Sequence, residues 1–294
     1  MNIGIYCAFE NKSTLKYAKE TISILNEMSH NLSIDSKLAK HLPEKLTKKH
    51  MFFDSNITVK KEIDFLFSIG GDGTLLRSIT HVKNTEVPIL GINAGKLGFL
   101  TGLQKESITE GLRDFFQNKY KLVKRSLLEV KLSKNLKAFD QFNYALNEVT
   151  INRKNSTSML SIETKIDSKF LTTFWADGLI IATPTGSTGY SLSSGGPILS
   201  PQTKNLILNP ISPHNINIRP LILPEKSNIK IKVTGKGKNH LMSLDSRIFS
   251  VPNQTEITLK KAPFSIFTVE LENDNFLKTL SNKLFWGKDT RNKQ

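Results

Sequence analysis

An α/β domain with a parallel sheet, followed by a β-rich antiparallel domain, is the fold class predicted by three features of this 294-residue sequence. Short apolar runs alternate with helix-period segments up to about residue 124. Two of those runs end in glycine-punctuated loops, the usual place for a ligand beyond the C-terminal ends of parallel strands. Beyond Lys124 the pattern changes to period-two alternation without long helical spacers. The expected division is 1–124, 125–262, and a segment 263–294 that packs back on the first domain.

Asn2-Ile3-Gly4-Ile5-Tyr6 reads as a first strand, its apolar core being too short for a secretory segment. Ser13 is placed to cap a helix in which Leu15, Ala18, Ile22, Leu25 and Met28 recur at helical spacing. Residues 37–60 are polar and Lys-rich, predicting a short helix near Lys37 to Lys40 and then a mobile connection. Ile63 to Ile69 is a buried strand that empties into Gly70-Gly71-Asp72-Gly73-Thr74, and Leu75, Leu76 and Ile79 open the next helix. Val87 to Ile92 is another strand, followed by the loop Asn93-Ala94-Gly95-Lys96-Leu97-Gly98-Phe99-Leu100. A helix from about Ser107 to Lys119 turns Ile108, Leu112, Phe115 and Phe116 inward. The β-type segments are Leu127 to Leu132, Phe142 to Ile151, Met159 to Ile166, Phe170 to Trp175, Ile229 to Val233 and Ile257 to Leu259. Phe276, Leu277, Leu280 and Leu284 predict a final helix.

The formal charge of +15 invites a nucleic-acid partner, but the lysines are scattered, which favours a solvated surface. A positive field also concentrates small polyanionic substrates. One cysteine, Cys7, allows no internal disulfide and suits a reducing cytoplasm. No stretch reads as a membrane segment.

Consecutive glycines let the backbone approach a ligand, and free N–H groups at a helix start favour an anion. Gly70 to Gly73 therefore reads as a phosphate cradle in which Asp72 is the side chain able to take a proton or hold a metal ion. A tight turn with Asp72 capping the next helix fits that stretch equally well. Two further stretches add weight. Asn147-Glu148 offers an amide beside a carboxylate, a set suited to sugar hydroxyls, though such pairs at strand ends are commonly solvated. Asp177-Gly178 opens an apolar strand that ends in Thr183-Pro184-Thr185-Gly186-Ser187-Thr188-Gly189-Tyr190-Ser191, with Gly195-Gly196-Pro197 following. Its hydroxyls and glycines suit a nucleotide's polar edges, and Tyr190 can cover a ring face.

These segments, in this order and spacing, resemble the NAD kinase family from the first strand to about residue 290, where Phe285-Trp286-Gly287 resembles the family's ending. The resemblance implies phosphoryl transfer from ATP, or in some members polyphosphate, to the 2′-hydroxyl of the adenosine ribose of NAD. It also implies a homodimer or homotetramer; phosphoryl transfer calls for Mg²⁺ or another divalent cation, with no ligand residues assigned to it, and the cysteine, charge and hydropathy readings above add a cytoplasmic location with neither a nucleic acid nor a membrane as partner. Carried over by motif, Asp72 is the catalytic carboxylate, and Gly70, Gly71, Gly73, Thr74 and Arg77 belong to the nucleotide-binding turn. Asn147, Glu148 and Asp177 contact NAD, and Thr185, Thr188, Gly189, Tyr190 and Ser193 line its adenine and ribose pockets. Two departures stand out: Ala94 and Lys96 sit where the family usually has a larger apolar residue and often His or Arg, and Leu244-Asp245-Ser246 lacks the glycine of the family's Asp-Gly turn. Asp245 remains an expected NAD contact.

Lipid kinases share a similar turn, but their Asn-Glu pair lies just after it, where this chain has Leu76-Arg77. Phosphofructokinases share it too, with a Thr-Ile-Asp segment that this chain lacks. A non-catalytic dinucleotide sensor is the other alternative, and a carboxylate in a phosphate cradle speaks against it.

Overall fold

The computed structural model describes residues 1–8, 11–54, 62–96, 98–136, 139, 141–154, 158–272 and 275–286. The chain divides into two compact units, Met1–Lys124 with Ile266–Gln294, and Arg125–Ser265.

The first unit runs β1 (Asn2–Tyr6), α1 (Lys12–Glu27), β2 (Asn31–Asp35), α2 (Ser36–Ala39), α3 (Glu44–Thr47), β3 (Met51–Phe53), β4 (Phe65–Gly70), α4 (Asp72–Val82), β5 (Ile89–Asn93), β6 (Leu103–Gln104) and α5 (Ile108–Phe116). Its strands lie in the order β5-β4-β1-β2-β3 and every pair is parallel, as the alternation of strand and helix predicts. Five of the six residues of β4 and all five of β5 are buried, which explains their unbroken apolar sequence. Gly70 pairs with Asn93, so the two glycine-rich loops leave the sheet at one level. Helices α1 and α5 cover the sheet with Ala18, Ile22, Leu25, Leu112 and Phe115.

Two expectations are corrected here. The cap of α1 is Asn11, whose side chain accepts from the Ser13 and Thr14 backbone N–H groups. Ser13 instead donates its hydroxyl to the Ala94 carbonyl at 2.7 Å, tying the start of α1 to the loop after β5. The polar stretch after Lys40 holds α3 and β3 rather than only a connection, while 55–61 lie outside the described residues. Leu97 and Gly287, both quoted for the family resemblance, also lie outside them.

The second unit is built on β7 (Tyr120–Leu132), which enters it at Arg125, β8 (Tyr144–Ala145), β9 (Glu148–Asn152), β10 (Leu160–Ile166), β11 (Lys169–Ala176), β12 (Gly178–Ala182), α6 (Tyr190–Ser193), β13 (Asn205–Ile211), β14 (Leu221–Pro224), β15 (Ile229–Thr234), β16 (Asn239–Leu244), β17 (Arg247–Pro252) and β18 (Glu256–Leu271). One sheet is antiparallel throughout, in the order β14-β13-β12-β9-β16-β17. The other contains the antiparallel run β11-β10-β15-β18. A core between them takes Val149, Ile181, Leu208 and Met242 from the first sheet and Ile162, Phe174, Ile231 and Leu259 from the second. β13, β14, β16 and β17 are strands that the sequence reading does not mark.

The distal part of β18 belongs to the first unit, where Thr268 pairs in parallel with Ile89 and Val269 and Leu271 join that unit's core. The chain then forms α7 (Phe276–Leu284), capped by the Asn275 side chain at the Lys278 N–H and ended by Phe285 at φ 57°. Among the described residues no helix is long and apolar enough to cross a membrane.

Candidate functional site

In the first unit the predicted phosphate turn starts at Gly70, whose φ of 155° and a 2.2 Å approach of Thr74 Oγ1 to any added Cβ leave room for glycine alone. Gly71 begins α4 with no side chain capping it. A Cβ at Gly71 or Gly73 would meet nothing within 4 Å, so both present bare backbone to open space. Beside them is a cavity of about 450 Å³, lined among others by Gly70, Gly71, Thr74, Lys96 and Lys105. The starts of α1, at Asn11 to Thr14, and of α4 both border it, and its described lining contains no carboxylate. Two helix N-termini and two lysines make it an anion cavity. Gly73 and Arg77 are exposed and lie outside that lining.

Asp72 does not cap α4. Its Oδ2 accepts from the Phe99 N–H at 2.7 Å, and its Oδ1 accepts from the Leu100 N–H at 3.0 Å and the Thr101 hydroxyl at 3.5 Å. The two glycine-rich loops are thus fastened together through one carboxylate. Gly98 is part of this arrangement, since a Cβ there would come within 2.0 Å of Asp72 Oδ1. Lys283 on α7 brings its ammonium to 4.0 Å from Asp72 Oδ2 and to 4.1 Å from the centre of the Phe99 ring.

A second cluster lies wholly in the other unit. Asp245 occupies the first position of the two-residue loop between β16 and β17 at φ 51°, a left-handed conformation that aspartate tolerates without the family's glycine. Its buried carboxylate accepts from the backbone N–H groups of Leu146 at 3.0 Å, Asn147 at 2.7 Å and Glu148 at 3.3 Å. Arg247 stands 4.0 Å from Asp245 Oδ2 and donates to the Phe142 and Tyr144 carbonyls, bracing the same segment. The Asp245 carboxylate is thus spent on holding the backbone of Asn147 and Glu148.

The turn Thr185–Thr188 and helix α6 pack on that pair. Thr183 donates its N–H to the Asn147 carbonyl at 2.8 Å. A Cβ on Gly186 would come within 2.0 Å of that same carbonyl oxygen, and one on Gly189 within 2.7 Å of Glu148 Oε2. Asn147 and Glu148 are both buried, yet Asn147 Oδ1 and Glu148 Oε2 have no hydrogen-bond partner among the described residues. Burial, and then the neighbouring Asp245, push the Glu148 carboxyl up to about 8 against a backbone hydrogen bond from Tyr190. Buried oxygens without a protein partner are free to accept from a ligand's donors. Thr185 Oγ1 accepts from Arg125 at 3.4 Å, and Thr188 donates to the Thr185 carbonyl. Tyr190 and Ser193 are exposed. Asp177 is not brought into this cluster: it pairs with Arg153 at 3.2 Å and precedes the Gly178 end of β12, whereas Glu148 pairs with Ala182 at the other end.

Asp245→Asn tests the bracing role, because an amide turns N–H toward a donor and keeps one good acceptor. It is expected to cost about 1–2 kcal/mol of stability and to weaken nucleotide binding by this cluster, read by denaturant unfolding and a nucleotide titration. An unchanged unfolding midpoint would remove Asp245 from that role.

Lys105, Arg247 and Lys283 are absent from the sequence reading of the site, and Gly98 enters it only as part of the glycine-punctuated loop after β5, with no role of its own. For three of them nothing in the local sequence marks the contact, which depends on tertiary placement. Lys283 does leave a trace, since it falls seven residues after Phe276 and three after Leu280, a cation on the apolar face of its helix.

The chain matches the models of the ATP-NAD kinase N-terminal domain over residues 3–120 and the ATP-NAD kinase C-terminal domain over residues 146–271. It is 46% identical over 294 residues to the NAD kinase of Flavobacterium psychrophilum, covering 99% of this chain and 100% of that one. The NAD kinase of Christiangramia forsetii is 45% identical over 296 residues, with the same coverage. Among solved structures, yeast NADH kinase complexed with NADH superposes with a TM-score of 0.85 at 27% identity, covering 100% of this chain and 90% of that chain. An NAD kinase from Archaeoglobus fulgidus in complex with ATP gives 0.74 at 25% identity over 97% and 99% of the two chains. By matches to both domain models and by full-length identity to curated relatives, the chain belongs to the ATP-NAD kinase family.

Proposed function

We infer that the protein is an NAD kinase, a phosphotransferase that uses ATP and NAD to make NADP. The lipid-kinase and sensor readings gain no support from these relatives. The observation that carries the acceptor assignment is the pair of buried, unpartnered oxygens, Asn147 Oδ1 and Glu148 Oε2, on the two residues that match the family's NAD-contacting pair.

In our reading the donor's phosphates lie on the Gly70, Gly71, Gly73 and Thr74 backbone and in the lysine-lined cavity beside it, with Arg77 further along α4. The acceptor ribose is held by Asn147 and Glu148, its adenine side by Thr185, Thr188, Gly189, Tyr190 and Ser193. Asp245 acts as a positioning residue for the pair. A contact from Asp177 to NAD rests on the family resemblance alone. The 2′-hydroxyl oxygen forms the new bond to the terminal phosphorus, the bond to the bridging oxygen breaks, ADP leaves, and Asp72 takes the hydroxyl proton. Among the described residues no group of three or more metal-ligating side chains exists. Asp72 as the one carboxylate, with the donor's own phosphates, suits Mg²⁺, which keeps much of its water. Such an ion supplies charge neutralisation on the phosphates. A homodimer or homotetramer in the cytoplasm, and polyphosphate as a second donor, complete the proposal.

The test is product formation by the purified protein with NAD, ATP and Mg²⁺, read by an enzyme that reduces only NADP. Steady NADP production is expected. Bound NAD without product would replace this reading with the sensor.

A further inference from the structure

We propose that Lys283 is a phosphate-binding residue of the transfer site, its ammonium a ligand for the non-bridging oxygens of the phosphoryl group that Asp72 faces. The inference deepens the kinase reading and rests on it.

Three observations carry it. The ammonium of Lys283 lies 4.0 Å from Asp72 Oδ2, and among the described residues no other cation pairs with that carboxylate. At that distance the contact is an ion pair without a hydrogen bond, so the three N–H donors of the ammonium are not committed to Asp72. The side chain is also guided into place: its ammonium sits 4.1 Å from the centre of the Phe99 ring, and Phe99 donates its own N–H to the same Asp72 oxygen at 2.7 Å. One carboxylate oxygen, one aromatic face and one ammonium thus meet at Asp72, the residue after Gly71 in the phosphate turn.

Electrostatics supplies the reason for such a cation. A phosphoryl group delivered next to a carboxylate meets like charge, and backbone N–H groups offset only part of it. An ammonium within 4.0 Å of that carboxylate can pair with both at once. With a third of its side chain exposed, Lys283 has room to turn from Asp72 toward an incoming oxygen without unpacking α7. Its place in the last turn of α7, where a positive charge is favoured, holds it there.

The test is steady-state kinetics of the full chain carrying Lys283→Met or Lys283→Arg, with ATP, Mg²⁺ and NAD varied separately. For Lys283→Met we expect kcat/KM for ATP to fall on the order of 10²-fold, as when one charge-stabilising donor is lost from a transition state. The KM for NAD and the thermal midpoint should stay close to those of the unaltered chain, and Lys283→Arg should recover most of the loss. A fall of less than about threefold, or an equal loss toward both substrates together with a lowered midpoint, would make Lys283 a structural contact and overturn the proposal while the kinase reading stands. No NADP from the unaltered chain would overturn both.

Discussion

Asp72→Asn is expected to lower kcat by roughly 10²- to 10⁴-fold, the range for loss of a positioned general base, with both substrates still bound. The structure adds a second consequence. Asp72 accepts from the Phe99 and Leu100 N–H groups on separate oxygens, and an amide can accept on only one. The other N–H would face an NH₂ group, so the loop after β5 should loosen at a cost of about 1–2 kcal/mol, a drop of a few degrees in thermal midpoint. The two effects separate by magnitude: a loss of that size in stability leaves nearly all molecules folded at 25 °C and cannot produce a hundredfold loss of turnover. Turnover within a few-fold of the unaltered chain, measured alongside the melting curve, would leave Asp72 as a loop fastener and remove it from the chemistry.

The parts of the molecule that were legible in the sequence are those whose signal is local. β4 and β5 show as unbroken apolar runs because both faces are buried, and Gly70 shows because a positive φ beside Thr74 admits no Cβ. The antiparallel character of the second unit shows in the alternation of β10 and β15, where inward and outward positions take turns. β3 escaped detection because it is three residues long at the edge of its sheet, with Met51 and Phe52 exposed. β13 was hidden by Pro210, a residue that ordinarily argues against a strand. Site chemistry divides in the same way. Asn147 and Glu148 are adjacent and visible, whereas the three N–H groups on Asp245 come from residues almost a hundred positions away. Ser13 illustrates the limit of local rules: a plausible cap by position, its hydroxyl is taken by Ala94, and Asn11 caps instead.

Glu148→Gln should stabilise the protein in a way that depends on pH, and the sign follows from the raised carboxyl. Glu148 ionises near 4.5 in an unfolded chain and at about 8 in the folded one. Between those values the native state keeps a proton that the unfolded state has lost, so folding stability falls as pH rises through the window. Below pH 4.5 both states are protonated and the residue contributes no penalty; above pH 8 the penalty is complete and constant. The slope is at most about 1.4 kcal/mol per pH unit for one group, and the whole difference is on the order of a few kcal/mol. Glutamine is neutral at every pH and keeps the shape of the protonated carboxyl, so the variant escapes this loss. Groups unchanged between the two chains cancel in the comparison, apart from Asp245, whose neighbour no longer becomes charged. The thermal midpoint of Glu148→Gln should therefore rise relative to the parent from pH 5 to pH 8.5, then level off. Binding should take the opposite course, because the unpartnered oxygen accepts from a ribose hydroxyl and an ionised carboxylate accepts more strongly than a protonated one. NAD affinity of the parent is expected to rise as pH passes through about 8 while that of the variant stays flat. A difference in midpoint that does not change across this range would place the Glu148 titration near its ordinary value, and its unpartnered oxygen would then be solvated rather than held dry for a ligand.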